Sequence, residues 1–108
     1  MPADTEVRDD AAGGRFVLAE DGSAAELVYR REPGRLILVH TGVPESLGGR
    51  GISGRLVRAA LDLAKSERLT IVPWCPFARQ WLRSHPDAVD GIDIDWASTP
   101  RRGVGTNG

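Results

Sequence analysis

A chain of 108 residues suits one domain and is too short for two of ordinary size. With 41% hydrophobic and 27% charged residues it has the composition of an ordinary soluble globular protein. Its formal net charge of −1 lacks the basic footprint of a nucleic-acid-coating protein, and no apolar run approaches the roughly 20 residues that cross a bilayer, so neither nucleic acid nor membrane is an expected partner.

Residues 1–14 are polar, acidic and aperiodic, which predicts a flexible N-terminal tail before a folded unit over 15–97. Arg15 to Glu20 alternates, with Phe16 and Leu18 on one face, and predicts a first strand. Asp21-Gly22 is a hairpin signal. Ala24 to Arg31 alternates again through Ala25, Leu27 and Tyr29, and Pro33-Gly34 marks the next turn. Arg35 to Val39 is apolar on both faces, as expected of a central strand. Two short turns make these strands an antiparallel meander.

After a loop containing Pro44, an amphipathic helix is predicted from about Gly51 to Glu67, its polar stripe being Arg55, Arg58, Asp62 and Lys65. Leu69 to Trp74 reads as a fourth strand, parallel to the third by a right-handed crossover, with Pro73 marking an edge or bulge. Cys75-Pro76 opens a second helix with proline at its favoured first position, and Phe77 and Trp81 are four apart, as are Ala78 and Leu82, which gives a packing face. His85-Pro86 ends it. Gly91 to Trp96 alternates as a short last strand, and residues 98–108 are expected to be a flexible C-terminal tail. The expected class is α/β (α+β): a three-stranded antiparallel meander, a helix, a fourth strand and a helix.

The chemistry concentrates at Gly48-Gly49-Arg50-Gly51-Ile52-Ser53-Gly54, where a glycine-rich loop enters a helix. A helix start offers unpaired N–H groups and the positive end of a dipole to an anion, and glycine lets a phosphate approach the backbone. Gly49 to Gly54 matches G-x-G-x-x-G literally, but the stretch 42–48 separates it from its strand and two hairpin strands precede it, which argues against a dinucleotide fold. A P-loop is excluded by the absence of Gly-Lys-Ser/Thr. A plain helix cap and an anion site remain.

Four stretches carry a resemblance: His40-Thr41-Gly42-Val43-Pro44, Gly49-Arg50-Gly51-Ile52, Val72-Pro73-Trp74-Cys75-Pro76-Phe77 and His85-Pro86. Together, over roughly residues 15–90, the chain resembles the small single-domain members of the GNAT N-acetyltransferase superfamily. That resemblance implies a minimal GNAT-like core and an acetyl-CoA-dependent N-acetyltransferase acting on an amine, small-molecule or peptide. The alternative is a coenzyme A or acyl-CoA binding module with little or no catalysis. The resemblance further implies a coenzyme site at Thr41, Gly42 and Val43 and at Gly48, Gly49, Arg50, Gly51, Ile52, Ser53 and Gly54. Two departures stand out: Gly48 occupies the Gln/Arg position of the coenzyme signature, and Gly42 stands where the small family commonly has Glu after His-Thr.

Among candidate catalytic residues, His40 ends the central strand on the Leu36/Leu38 face, where a neutral imidazole accepts a proton or, equally, only fixes the loop. Cys75 at a helix N-terminus has the setting of a low-pKa thiol, or of a small buried residue. Glu45 and Tyr29 are weaker candidates for base and acid, and Trp74, Trp81 and Trp96 for core or the rim of a shallow cleft. One cysteine and two histidines exclude an internal disulfide and argue against a metal site. Without a charged-then-apolar leader pattern, cytoplasm is the expected location. A shallow acceptor site, lacking covering helices, is one that a homodimer would complete.

Overall fold

Alternating apolar side chains build the sheet. In the computed structural model, which describes residues 7–20, 22–48 and 51–99, strand β1 (Arg8–Asp10) is followed by β2 (Arg15–Glu20), β3 (Ser23–Glu32) and β4 (Arg35–Gly42). Helix α1 (Ile52–Glu67), β5 (Thr70–Pro73) and α2 (Pro76–Ser84) complete the order. The five strands lie in chain order, the first three pairs antiparallel and β4–β5 parallel. The crossover through α1 that makes the last pair parallel is the one expected from the strand–helix–strand pattern.

Phe16 and Leu18 of β2 and Ala25, Leu27 and Tyr29 of β3 are buried on one face, joined by Leu36 and Leu38 of β4 and Ile71 of β5. Onto this face α1 packs Ile52, Leu56, Val57, Ala60, Leu61 and Ala64, and α2 packs Ala78 and Leu82. The predicted polar stripe of α1 is exposed throughout. Ile37 and Val72 are buried outside this cluster, which accounts for β4 being apolar on both faces.

Three expectations are corrected. Residues 8–10, assigned to a tail, form the edge strand β1. They have no apolar alternation; Asp10 holds them by accepting from the Gly13 N–H and from Arg15 Nε, each at 3.1 Å. Ser98, assigned to the other tail, accepts a hydrogen bond from Trp74 Nε1 at 3.1 Å, and its N–H reaches Asp95. Residues 91–96 supply a single parallel bridge, Ile94 with Ile71, rather than a full strand. The remaining tail residues, 1–6 and 100–108, lie outside the described residues, as does Asp21 of the first turn.

Two features of β4 shape the site. Tyr29 opposes Leu38 while Val28 opposes His40, so Val39 is an extra residue, a β-bulge. Beyond the bulge, β4 leaves β5. The Leu38 carbonyl accepts from both Trp74 N–H (3.0 Å) and Cys75 N–H (2.9 Å), and the ladder with β5 ends there. From Val39 to Gly42 the only strand paired with β4 among the described residues is β3.

Candidate active site

Gly51 precedes α1 with φ 69°, a left-handed conformation that glycine adopts without a Cβ penalty. The first helical bond is Arg55 N–H to the Gly51 carbonyl at 3.2 Å. The N–H groups of Ile52, Ser53 and Gly54 therefore precede the ladder of the helix, and no side chain at Gly51 caps them. A Cβ added at Gly51 would stand in open space. Gly54 is different: a Cβ there would lie 2.7 Å from Trp81 Nε1. This glycine seats an indole on α1 rather than leaving room for a ligand.

The α1 start opens into a cleft of about 560 Å³, bounded by the loop Val43 to Gly48 and by α2. Phe77, Trp81 and His85 line it at successive four-residue steps. Of the two pairs expected on the packing face, Ala78 and Leu82 are buried, whereas Phe77 is 40% exposed. His85 stacks on Trp81 with ring centroids 3.9 Å apart and planes 12° from parallel, and the Arg58 guanidinium sits 5.1 Å from the Trp81 ring. His85 Nδ1 lies 2.8 Å from the Trp81 carbonyl, which can only accept, so Nδ1 donates. Arg55 and Arg58 face the cleft from α1, with Glu45 opposite on the loop. This array of arginines, helix N–H groups and aromatic rings suits an anion joined to a flat ring. The Phe77-Trp81-His85 spacing was visible in the sequence, but only burial separates it from the Ala78-Leu82 stripe beside it.

At the end of β4 the bulge reverses one expectation. His40 does not share the Leu36/Leu38 face; it pairs across from Val28, on the other side of the sheet, and is exposed. Thr41 takes the inner face instead, and its Oγ1 lies 3.2 Å from Cys75 Sγ. Cys75 is the N-cap residue of α2, as the sequence predicts, but its side chain makes no capping bond and is 3% exposed. Tyr29 is buried against Phe16, donates to Asp9, and lies outside the cleft lining. Of the expected coenzyme residues, Val43, Gly48, Gly51, Ile52, Ser53 and Gly54 line the cleft, and Thr41 and Gly42 lie on the end of β4 that pairs with β3 but not with β5. Gly49 and Arg50 lie outside the described residues.

Residues 15–91 match the family model of the GCN5-related N-acetyl-transferases. The chain belongs to this family. It is 31% identical over 84 residues to chicken (Gallus gallus) Protein NATD1, an alignment covering 75% of this chain and 76% of that protein. To human (Homo sapiens) Protein NATD1 it is 35% identical over 63 residues, covering 57% of this chain and 56% of the human protein. Its fold is similar to that of a GCN5-like candidate N-acetyltransferase of Staphylococcus aureus solved in solution by NMR, with a TM-score of 0.66 and 25% identity, covering 88% of this chain and 95% of that one.

Within this GCN5-related fold, β4 and β5 part at Leu38, and the cleft opens beside the start of α1. The position after His40-Thr41 is Gly42, which has no side chain. No helix among the described residues is long and apolar enough to cross a membrane.

Proposed function

We propose that this protein is an acetyl-CoA-dependent N-acetyltransferase that acetylates an amine of a small molecule or peptide in the cytoplasm, alone or as a homodimer. The observation that carries the reading is the start of α1, where the N-cap Gly51 makes no side-chain capping bond. Its N–H groups and the open approach at Gly51 face a cleft lined by arginine and aromatic rings. Those residues fit a pyrophosphate-bearing coenzyme: a Cβ at Gly51 would intrude on free space, and the donors are backbone amides at the positive end of a helix dipole.

Bound coenzyme supplies an acetyl group as a thioester, activated toward an amine. Ile52 and Ser53 offer N–H groups to its phosphates, and Arg55 and Arg58 add charge along the same wall. Trp81, held by His85 and Arg58, offers a flat apolar surface. The end of β4, unpaired on its β5 side, offers backbone groups along which an extended chain can lie.

The absence of a side chain at Gly42 favours a second reading, in which the protein binds coenzyme A or acyl-CoA without turnover. Calorimetric titration with acetyl-CoA tests both readings, since both require saturable binding. Thiol release over a panel of primary amines then separates them: release above the no-amine rate supports the transferase, and binding without release supports the module. No heat of binding at millimolar acetyl-CoA would sink both.

A further inference from the structure

Strand register brings Glu26 of β3 directly across from Gly42. Neighbouring residues of a strand point to opposite faces, so Thr41 faces the helices and Gly42 faces away. His40, turned to that same outer face by the bulge, stands beside it. A point one Cβ above Gly42 is 3.6 Å from His40 Nε2, 3.7 Å from Glu26 Cγ and 3.8 Å from Glu26 Oε2. An imidazole nitrogen and a carboxylate oxygen thus converge on a space that exists because residue 42 has no side chain. Among the described residues no hydrogen bond joins the two groups to each other. Arg15 Nη1 donates to Glu26 Oε1 at 2.7 Å, which orients the carboxylate and leaves Oε2 toward the gap.

We infer that the gap over Gly42 is the acceptor site for a primary ammonium group, bound by Glu26 and deprotonated by His40. This rests on the acetyl-transfer reading. The carboxylate comes from the neighbouring strand, from a residue distant in sequence that register sets opposite Gly42. A carboxylate favours a cation over a neutral ligand, and a gap bounded by two side chains admits a nitrogen carrying one substituent more readily than a branched one. The proton step balances within the pair: an N–H bond of the ammonium breaks, an N–H bond forms at His40 Nε2, and the lone pair stays on the amine. Bulged strand and glycine together place this amine beside the end of β4 that stands apart from β5, with Thr41 on the opposite face at the next residue.

The test uses n-butylamine as probe, with n-butanol as the neutral control, and reads the His40 and His85 ring protons by NMR without coenzyme. The expected result is a saturable shift of the His40 signals by the amine, none by the alcohol, and no matching shift at His85. Glu26→Gln should weaken that binding about tenfold or more, the loss of a charged hydrogen bond. Gly42→Ala should block it by filling the gap. A Cβ there makes only ordinary contacts and Gly42 has no positive φ, so the variant should fold. Acetyl-CoA affinity by calorimetry should be unchanged in Glu26→Gln. If wild type binds acetyl-CoA but n-butylamine leaves His40 unmoved, or Glu26→Gln binds it as tightly, the acceptor site is wrong and the coenzyme reading stands. If acetyl-CoA does not bind but the amine shifts His40 through Glu26, the acceptor site stands and the transferase reading falls.

Discussion

Thr41 Oγ1 lies 3.2 Å from Cys75 Sγ, bridging β4 to the start of α2 just where the β4–β5 ladder ends. The contact joins the two sides of the splay. It also answers what the single thiol does in the resting protein: it is 3% exposed and partnered. Iodoacetamide should therefore label Cys75 slowly in native protein, at a rate that rises with urea as the structure opens. Cys75→Ser retains a hydroxyl for Thr41 and should be the milder change. Cys75→Ala removes the partner and should cost about 1 kcal/mol in urea denaturation. Labelling of native protein as fast as a free small-molecule thiol would refute this placement.

Gly51 separates backbone strain from ligand crowding. Its φ of 69° penalises any residue with a Cβ, so Gly51→Ala should lose about 1–2 kcal/mol of stability. Asparagine tolerates the left-handed region better. Gly51→Asn should unfold nearer to wild type, yet place an amide side chain in the open space before α1. On the coenzyme reading, both variants lose acetyl-CoA affinity although their stabilities differ. Calorimetry beside urea melts checks this: affinity tracking stability alone would remove Gly51 from the site.

Much of this architecture was legible because its signals are local. Phe16 and Leu18, then Ala25, Leu27 and Tyr29, alternate as half-buried strands do, and the α1 stripe repeats at helical spacing. Pro76 after Cys75 marks the helix start that is found. The features that build the outer face of the site are not local. Nothing in Leu36 to Gly42 says that Val39 is inserted against β3, yet that one residue moves His40 to the other face. Glu26 in a strand of mixed residues carries no signal until register sets it opposite Gly42. Trp81, a large apolar residue on a short helix, invites assignment to the core, whereas Ala78 and Leu82 fill it and Trp81 lies against Gly54. Arg8 to Asp10 form a strand held by polar bonds, which hydrophobic periodicity does not detect.

Tyr29 predicts an alkaline limit to stability. Burial, aided by its hydrogen bond to the Asp9 carboxylate, pushes its phenol up to about 12 from the ordinary tyrosine value of 10.0. The protonated phenol is the form the folded state prefers. Its contribution is fully present below pH about 10 and is lost as pH rises toward about 12, because the unfolded chain releases this proton first. Stability by urea melts should fall across that window, and Tyr29→Phe should flatten the part of the fall due to this group. Tyrosinate absorbance of the native protein should stay low near pH 10; full ionisation there would contradict the burial of the phenol.

The Gly54–Trp81 contact predicts a change of sign. Alanine is favoured over glycine inside a helix by about 1 kcal/mol, so Gly54→Ala would ordinarily stabilise α1. Here the new Cβ would lie 2.7 Å from Trp81 Nε1 and 3.4 Å from its Cε2. The indole cannot simply swing away, because His85 stacks on it and Arg58 lies over it. Gly54→Ala should therefore destabilise the wild type by about 1–3 kcal/mol, the range for overpacking. In a Trp81→Ala background the obstruction is gone, and the same substitution should stabilise by up to about 1 kcal/mol. The double-mutant cycle, measured by urea denaturation, should show a coupling above the few tenths of a kcal/mol found for independent sites. The cleft reports the same contact: on the coenzyme reading, Gly54→Ala should weaken acetyl-CoA by displacing Trp81 although no ligand atom needs to touch residue 54. A substitution that stabilises in both backgrounds would mean that Gly54 does not seat the indole, and it would return Gly54 to the list of residues whose missing side chain makes room for phosphate.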